Sequence, residues 1–352
     1  MVDSSLYRLF DHGYRYDSGE VFDMISGLEN WGDARNIAGE LLEKKVSKIA
    51  VLMSSYNGIK YIKEQIESII SQNGDFDICL IVRDDGSEDG TRELLQEYQN
   101  AGKLKWYTGE NMGPARSFYS MIQDNLGYDY YAFADQDDVW DVDKLSVAVT
   151  HIEEKEVNRN TPIMYFSNAE LVDDKLKSLG RTVYNRFLEV NIETLSARGG
   201  VLGCTIVFNN ALAQIIQNVE GIPGSMIMHD CYLAQVCVAV AGRIIADDKS
   251  HMKYRQHGNN VVGVSISIVD KIFDRMKYSF IKRQVSIAEQ SMDILDRFGK
   301  CIPPSNLDTL NEFANYRTSK RLRIKLAFST KLKYSSWSIG LRNRLSILLG
   351  NL

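Results

Sequence analysis

The sequence predicts an α/β chain with a Rossmann-like, mostly parallel sheet flanked by helices. Short apolar runs alternate with segments of helical spacing from Lys48 onward. The runs are continuous in hydrophobicity, as expected of strands buried on both faces. Three of them end abruptly in polar clusters. If the strands are parallel, those clusters share one sheet edge, where ligands bind.

Residues 49–53 read as the first buried strand, followed by the turn Ser54-Ser55-Tyr56-Asn57-Gly58. Ile59, Ile62, Ile66, Ile69 and Ile70 then recur at helical spacing. A second strand, 78–82, stops at Arg83-Asp84-Asp85-Gly86-Ser87. Residues 91–99 read as a helix, 104–107 as a strand, and 114–125 as a helix with Pro114 in its first turn. The strand 130–134 ends in Asp135-Gln136-Asp137-Asp138. Beyond it, 163–167 reads as a strand and 196–203 as a glycine-rich loop containing Gly199 and Gly200. Residues 204–208 follow as a strand, and 209–219 and 230–241 as helices. Two short strands, 243–246 and 252–256, precede a helical pattern over about 265–298. An appendage of residues 1–46, with a short helix at 33–45 capped by Asp33, precedes the main domain, 47–264; a helical, basic region, 265–352, follows.

Composition narrows the class. The 352 residues are 44% hydrophobic and 25% charged, which is globular usage. No apolar run approaches the roughly 20 residues needed to span a bilayer. The polar, acidic start lacks the apolar run of a secretory signal, so a cytoplasmic location is expected. Five cysteines without a CxxC pair read as small core residues in a reducing compartment, not as a zinc site. Net charge is −5, yet residues 313–352 hold nine Lys and Arg and no acid, which leaves −14 on the remainder. A basic amphipathic tail suits an anionic membrane surface; it equally suits a packed appendage with a solvated basic face. The acidic body argues against nucleic acid.

Three carboxylates within four residues, Asp135, Asp137 and Asp138, repel one another unless a cation sits between them. Such hard oxygen ligands suit Mg²⁺ or Mn²⁺. The competing reading is an acidic surface turn. Two further polar strand ends at the same edge favour a ligand crevice.

Taken together, Met53-Ser54-Ser55-Tyr56-Asn57, Asp84-Asp85-Gly86-Ser87-Glu88-Asp89-Gly90-Thr91, Asn111-Met112-Gly113 and Asp135-Gln136-Asp137-Asp138 resemble the nucleotide-binding half of family 2 glycosyltransferases of the GT-A fold. The resemblance runs from about residue 48 to about 263. Asp135-Gln136-Asp137-Asp138-Val139-Trp140 together with Tyr254-Arg255-Gln256-His257-Gly258-Asn259-Asn260 is similar to the bacterial rhamnosyltransferase branch.

What the resemblance implies is residue-specific. Ser54 and Tyr56 match the turn that contacts base and ribose, and Asp85 the acid that accepts a hydrogen bond from the pyrimidine. Asn111 and Gly113 would touch the donor. Asp135 matches the ribose or sugar contact and Asp137 the metal ligand of a DxD motif. Gly199 and Gly200 match the loop lining the donor sugar. Asp230 matches the general base, although His229 stands where the family often has Glu. His257 matches a histidine that reaches the metal or diphosphate in some members. The expected donor is a dTDP- or UDP-sugar, and the expected acceptor a glycan, lipid-linked if the tail meets a membrane.

Two other readings compete. A sugar nucleotidylyltransferase needs a glycine-rich phosphate loop with a basic residue after the first strand, and Ser54-Ser55-Tyr56-Asn57-Gly58 does not supply one. A carbohydrate-binding scaffold without activity would not need intact Asp137 and Asp230.

Overall fold

The central strand β1 (Ser47–Ser55) is organised by Ile49, Ala50, Val51, Leu52 and Met53, all without solvent exposure. It pairs in parallel with β2 (Phe76–Asp84) on one side and β4 (Tyr130–Asp135) on the other. β2 in turn pairs in parallel with β3 (Lys105–Thr108). In this computed structural model the described residues are 46–156, 158–185, 190–197, 201–257, 285–334 and 337–351. The expected helix at 33–45, Gly199 and Gly200, the turn Gly258-Asn259-Asn260 and the pattern over 265–284 lie outside them.

Beyond β4 the sheet continues through β8 (Val207–Asn209), β6 (Ile163–Val172), β9 (Arg243–Arg255) and the two-residue β5 (Val139–Trp140), with β7 (Ser178–Thr182) paired to β6. β8 runs antiparallel to β4 and β6, whereas β6 and β9 are parallel. The sheet is therefore mostly parallel, as expected.

Alternate residues of each strand serve opposite layers. Ala50, Leu52, Tyr131 and Phe133 pack with α3 (Pro114–Asp124), α6 (Asn210–Gln217) and α7 (His229–Ala239). Ile49, Val51, Met53, Ala132 and Ala134 pack with α1 (Ile62–Ile70), α2 (Thr91–Asn100) and α4 (Lys144–Lys155). Both faces being covered explains why the runs lack polar alternation. A short α5 (Ile192–Ala197) and four later helices, α8 (Ile287–Phe298), α9 (Pro304–Asn315), α10 (Lys320–Ala327) and α11 (Trp337–Leu349), complete the described elements. Ser286 starts α8 with a reciprocal capping box through Glu289.

Several boundaries differ from expectation. The two short strands 243–246 and 252–256 are one thirteen-residue strand, β9. The polar stretch Asp247-Asp248-Lys249-Ser250 stays in the sheet through register shifts against β6, where the Ser250 hydroxyl accepts the Glu170 amide at 2.8 Å. Polarity there marks an irregular ladder, not a turn. Residues 204–208 divide into a 3₁₀ turn, Gly203–Thr205, and β8. Cys204 and Cys237 are buried, but Cys79 and Cys231 are only half-buried and Cys301 is exposed, so the core role does not extend to every cysteine.

Candidate active site

The C-terminal ends of β1, β2 and β4 meet because their registers align: Ser54 lies opposite both Arg83 and Asp135. Side chains then lock the three turns. The Gln136 amide accepts from the Tyr56 N–H at 2.9 Å and donates back to its carbonyl at 3.1 Å. Asn57 sits in the left-handed region at φ 48°, where its side chain accepts the Glu88 amide at 2.9 Å. Tyr56 is thereby exposed on a fixed backbone.

The adjacent acids after β2 divide their work. Asp84 accepts the hydroxyls of Ser55 and Ser87, the Gly86 and Ser87 amides and the Arg92 guanidinium. Burial would raise its pKa, but these donors outweigh it and hold the carboxyl below its usual value. Asp84 thus closes the turn. Asp85 accepts Arg83 Nε at 2.9 Å and the Ser117 hydroxyl, which orients it from below. A carboxylate has about four lone-pair positions, so Asp85 keeps capacity for a further donor. Asn111 is exposed, with its side chain accepting the Gly113 amide at 3.2 Å. Gly113, at φ 79°, opens α3, the helix that carries Ser117 and its hydrogen bond to Asp85.

After β4 the three carboxylates separate. Asp137 remains at the rim, 2.7 Å from His257 Nε2. His257 arrives from the end of β9 and stacks on Tyr61 at 4.9 Å. Arg255, almost wholly buried, lies over the same Tyr61 ring, donates to the Asp137 carbonyl at 2.7 Å and pairs with Glu64. Its guanidinium therefore fixes the backbone that aims the Asp137 carboxylate. Asp138 turns inward and accepts the Arg255 amide at 3.1 Å. Burial, with Asp137 and Asp135 beside it, pushes its pKa well above the carboxylate range. Asp135 is pushed up to about 7 by burial and by the charges of Asp137 and Asp230. Asp135 thus sits within electrostatic reach of both the rim acid and the acid on α7.

Two groups could take a cation. Oxygens of Asp135 and Asp138 and the Cys204 thiol lie within 4.8 Å of one another. Burial raises that thiol well above its usual value, and a protonated thiol is a poor ligand. Lys144 is also buried here, donating to the Cys204 carbonyl at 2.9 Å and lying 3.4 Å from the Trp140 ring centroid. Burial pulls Lys144 down to about 7 against the attraction of Asp138 and Asp135. The attraction of Lys144 to Asp138 and Asp135 supplies part of the positive charge this cluster would otherwise draw from an ion. Asp137 and His257, by contrast, present a hard oxygen and an imidazole nitrogen side by side at the rim, two ligands for a divalent ion whose other positions a substrate or water would fill.

Asp230 stands at the start of α7, near Gly203 and within electrostatic reach of Asp135. It is not the N-cap, which is Met228; it stands in the first turn and accepts the Cys231 amide at 2.6 Å. His229 is buried against Phe118, with ring centroids 4.2 Å apart, and meets Phe133 edge-on. Burial lowers its pKa, and neither ring nitrogen has a hydrogen-bond partner among the described residues. A Cβ on Gly203 would lie 2.8 Å from His229 Nε2 and 3.3 Å from Asp230 Oδ2, so both side chains occupy space that only glycine leaves. Gly203→Ala is expected to lower turnover by about 10²-fold through displacement of these groups. Donor affinity should persist, and steady-state kinetics beside calorimetry separates the two; unchanged turnover would show that neither position matters.

The structure brings Ser54, Asp85, Asp135, Asp137, His257 and Asp230 around one sheet edge. Gln136, Arg255, Tyr61, Lys144 and Gly203 have positioning contacts that local patterns do not reveal. Arg255 stood inside the segment already singled out with His257, and its buried charge is the one available signal.

A mostly parallel sheet with acidic residues at its strand ends is the architecture expected of a GT-A glycosyltransferase. Residues 50–216 match the family model described as glycosyl transferase family 2. The dTDP-rhamnosyl transferase RfbG of Shigella flexneri is 32% identical over 236 residues, covering 62% of this chain and 76% of that protein. The putative teichuronic acid biosynthesis glycosyltransferase TuaG of Bacillus subtilis is 36% identical over 99 residues, covering 28% of this chain and 38% of that protein. The structure of S. aureus TarS 1-349 in complex with UDP-GlcNAc shares the fold, with a TM-score of 0.50 at 17% identity over 86% of this chain and 90% of that one. The chain belongs to glycosyltransferase family 2 and is a glycosyltransferase of the GT-A fold. That membership sets aside the nucleotidylyltransferase reading.

Proposed function

We propose that the chain moves a deoxyhexosyl group, rhamnose, from a dTDP-sugar to a hydroxyl of a growing surface polysaccharide, with inversion and with a divalent metal. The observation that carries this reading is the alignment of the C-terminal ends of β1, β2 and β4, which sets Asp135 opposite Ser54, within electrostatic reach of Asp137 and Asp230. Donor-holding and proton-accepting carboxylates thereby face one crevice. The choice of rhamnose and dTDP is supported by RfbG and by the segments around Asp135 and His257.

In this reading Ser54, Tyr56 and Asp85 hold the nucleotide, Asn111 and Gly113 flank it, and Asp135 contacts ribose or sugar. Gly199 and Gly200 keep the donor-sugar role that the resemblance implies for them. Asp137 and His257 would hold Mg²⁺ or Mn²⁺; when bound, the ion supplies Lewis-acid neutralisation of the leaving diphosphate. Asp230 takes the proton of the acceptor hydroxyl as its oxygen bonds to the anomeric carbon and the bond to the diphosphate breaks. His229, buried against Phe118 and Phe133 with neither ring nitrogen exposed, packs beside Asp230 at the start of α7. Residues 47–264 are taken as the transferase domain, 1–46 as an appendage and 265–352 as a basic helical region. The acceptor is lipid-linked at the cytoplasmic face of the membrane.

One displacement assisted by one base inverts the anomeric centre. Proton and carbon NMR of the product is expected to report the configuration opposite to that of the donor. Retention would require a nucleophilic residue and would overturn the role given to Asp230.

A further inference from the structure

The last two helices form an antiparallel hairpin. Arg317 Nε donates to the Gly350 carbonyl at 3.2 Å, tying the end of α11 to the approach of α10. Arg344 reaches the Ala327, Ser329 and Leu332 carbonyls and ties mid-α11 to the end of α10. Leu326, Ala327, Leu332 and Ile347 pack inward on Phe313 and Tyr316.

The outward side is apolar. On α11, Trp337, Leu341, Leu345 and Leu349 recur every fourth residue and are exposed, Trp337 at 82% and Leu349 at 68%. Ile324 and Phe328, one turn apart at α10, are exposed too, Phe328 at 71%. These six are half of the twelve large apolar side chains exposed among the described residues, gathered within the last thirty positions. Core packing does not explain them, because the buried face of each helix is the opposite one.

The charge carried by α10, α11 and their connection is of one sign. Lys320, Arg321 and Lys325 share the outer side of α10, and Lys333 and Arg342 flank α11. Lys325 pairs with Glu312 and Lys331 with Glu193, but Lys320, Arg321, Lys333 and Arg342 make no ion pair among the described residues. Trp337, Leu341 and Arg344, with Tyr334 and Gly340, also line a groove at the start of α11. No described helix is long and apolar enough to cross a membrane. An exposed apolar stripe with a tryptophan at one end and a cationic border fits the interfacial layer of an anionic bilayer, where apolar side chains enter and lysine and arginine meet headgroup phosphates.

We propose that the outer face of the α10–α11 hairpin docks the enzyme on an anionic lipid surface through Ile324, Phe328, Trp337, Leu341, Leu345 and Leu349, with Lys320, Arg321, Lys333 and Arg342 as the electrostatic contacts. This deepens the lipid-linked acceptor reading and rests on it only for its purpose, since vesicle binding and donor binding are measured separately.

The test is co-sedimentation of the full chain with vesicles of phosphatidylglycerol mixed with phosphatidylcholine, beside vesicles of phosphatidylcholine alone. Binding is expected to the anionic vesicles and to fall as salt rises. Combined Phe328→Glu, Leu341→Glu and Leu345→Glu should weaken it by at least about 10-fold. Each of Lys320→Gln, Arg321→Gln, Lys333→Gln and Arg342→Gln should weaken it by roughly 5-fold. These side chains are exposed, so the variants should keep the thermal shift given by a nucleotide sugar. Absence of wild-type binding, equal binding to both vesicle types, or undiminished binding by the apolar variant overturns the proposal. A concentration-dependent dimer in sedimentation velocity that those substitutions disperse would also overturn it, by assigning the face to a second copy.

Discussion

Asp230→Asn is expected to lower transfer by about 10²–10⁴-fold, the usual contribution of a positioned general base. The substitution is nearly isosteric. Asn can still accept the Cys231 amide that holds the side chain at 2.6 Å in the first turn of α7. What it removes is the ability to take the proton from the acceptor hydroxyl. Donor binding should persist, because the contacts proposed for nucleotide and diphosphate come from the ends of β1, β2, β4 and β9. The check pairs nucleoside diphosphate release with calorimetric donor titration. Retained turnover would move the base elsewhere; lost donor affinity would make Asp230 a binding residue.

Asp137→Ala is expected to weaken metal-dependent donor binding by more than about 10²-fold, a larger effect than removal of an outer-shell partner gives. Two contacts support that size. The carboxylate is 2.7 Å from His257, and its backbone carbonyl is held by the buried Arg255. A ligand fixed this way loses little freedom on binding an ion. The substitution also leaves His257 with a partner removed, so the rim loses both its oxygen ligand and the neighbour that orients the imidazole. Donor titration with and without Mn²⁺ reads the loss directly. A variant that still gains affinity from the ion would place the ligand elsewhere, with Asp135 the next oxygen along the strand end.

The frame was legible because its signals are local. Five continuous apolar residues announce β1, and the polar residues after β1, β2 and β4 announce the ligand edge. Family resemblance then added roles for Asp137, His257 and Asp230. Geometry between distant positions was not legible. His257 and Asp137 are 120 residues apart, and no spacing rule pairs them. Asp84 and Asp85 look equivalent as text, yet one closes a turn and the other is held by Arg83 and Ser117. Nor did the crowding of three carboxylates show that Asp138 turns into the core beside Lys144, a residue whose burial no local pattern announced. Gly203 reads in the sequence only as the end of a glycine-rich loop; it matters because His229 and Asp230 fill the space beside it. Polar Asp247 to Ser250 concealed the continuity of β9, since its ladder bonds are restored by side chains. The tail's charge was plain in the sequence, but which face stays uncovered depends on how α10 and α11 pack.

The central claim is that this crevice holds a dTDP-sugar through a divalent ion at its rim. Thermal unfolding of the wild-type chain with dTDP-rhamnose, with and without Mn²⁺, tests it without needing the acceptor. At a hundredfold excess over Kd, bound donor should stabilise the fold by about 2.7 kcal/mol, and only when the ion is present. An equal shift without Mn²⁺, or a shift given by other sugar nucleotides and not by this one, would contradict the account.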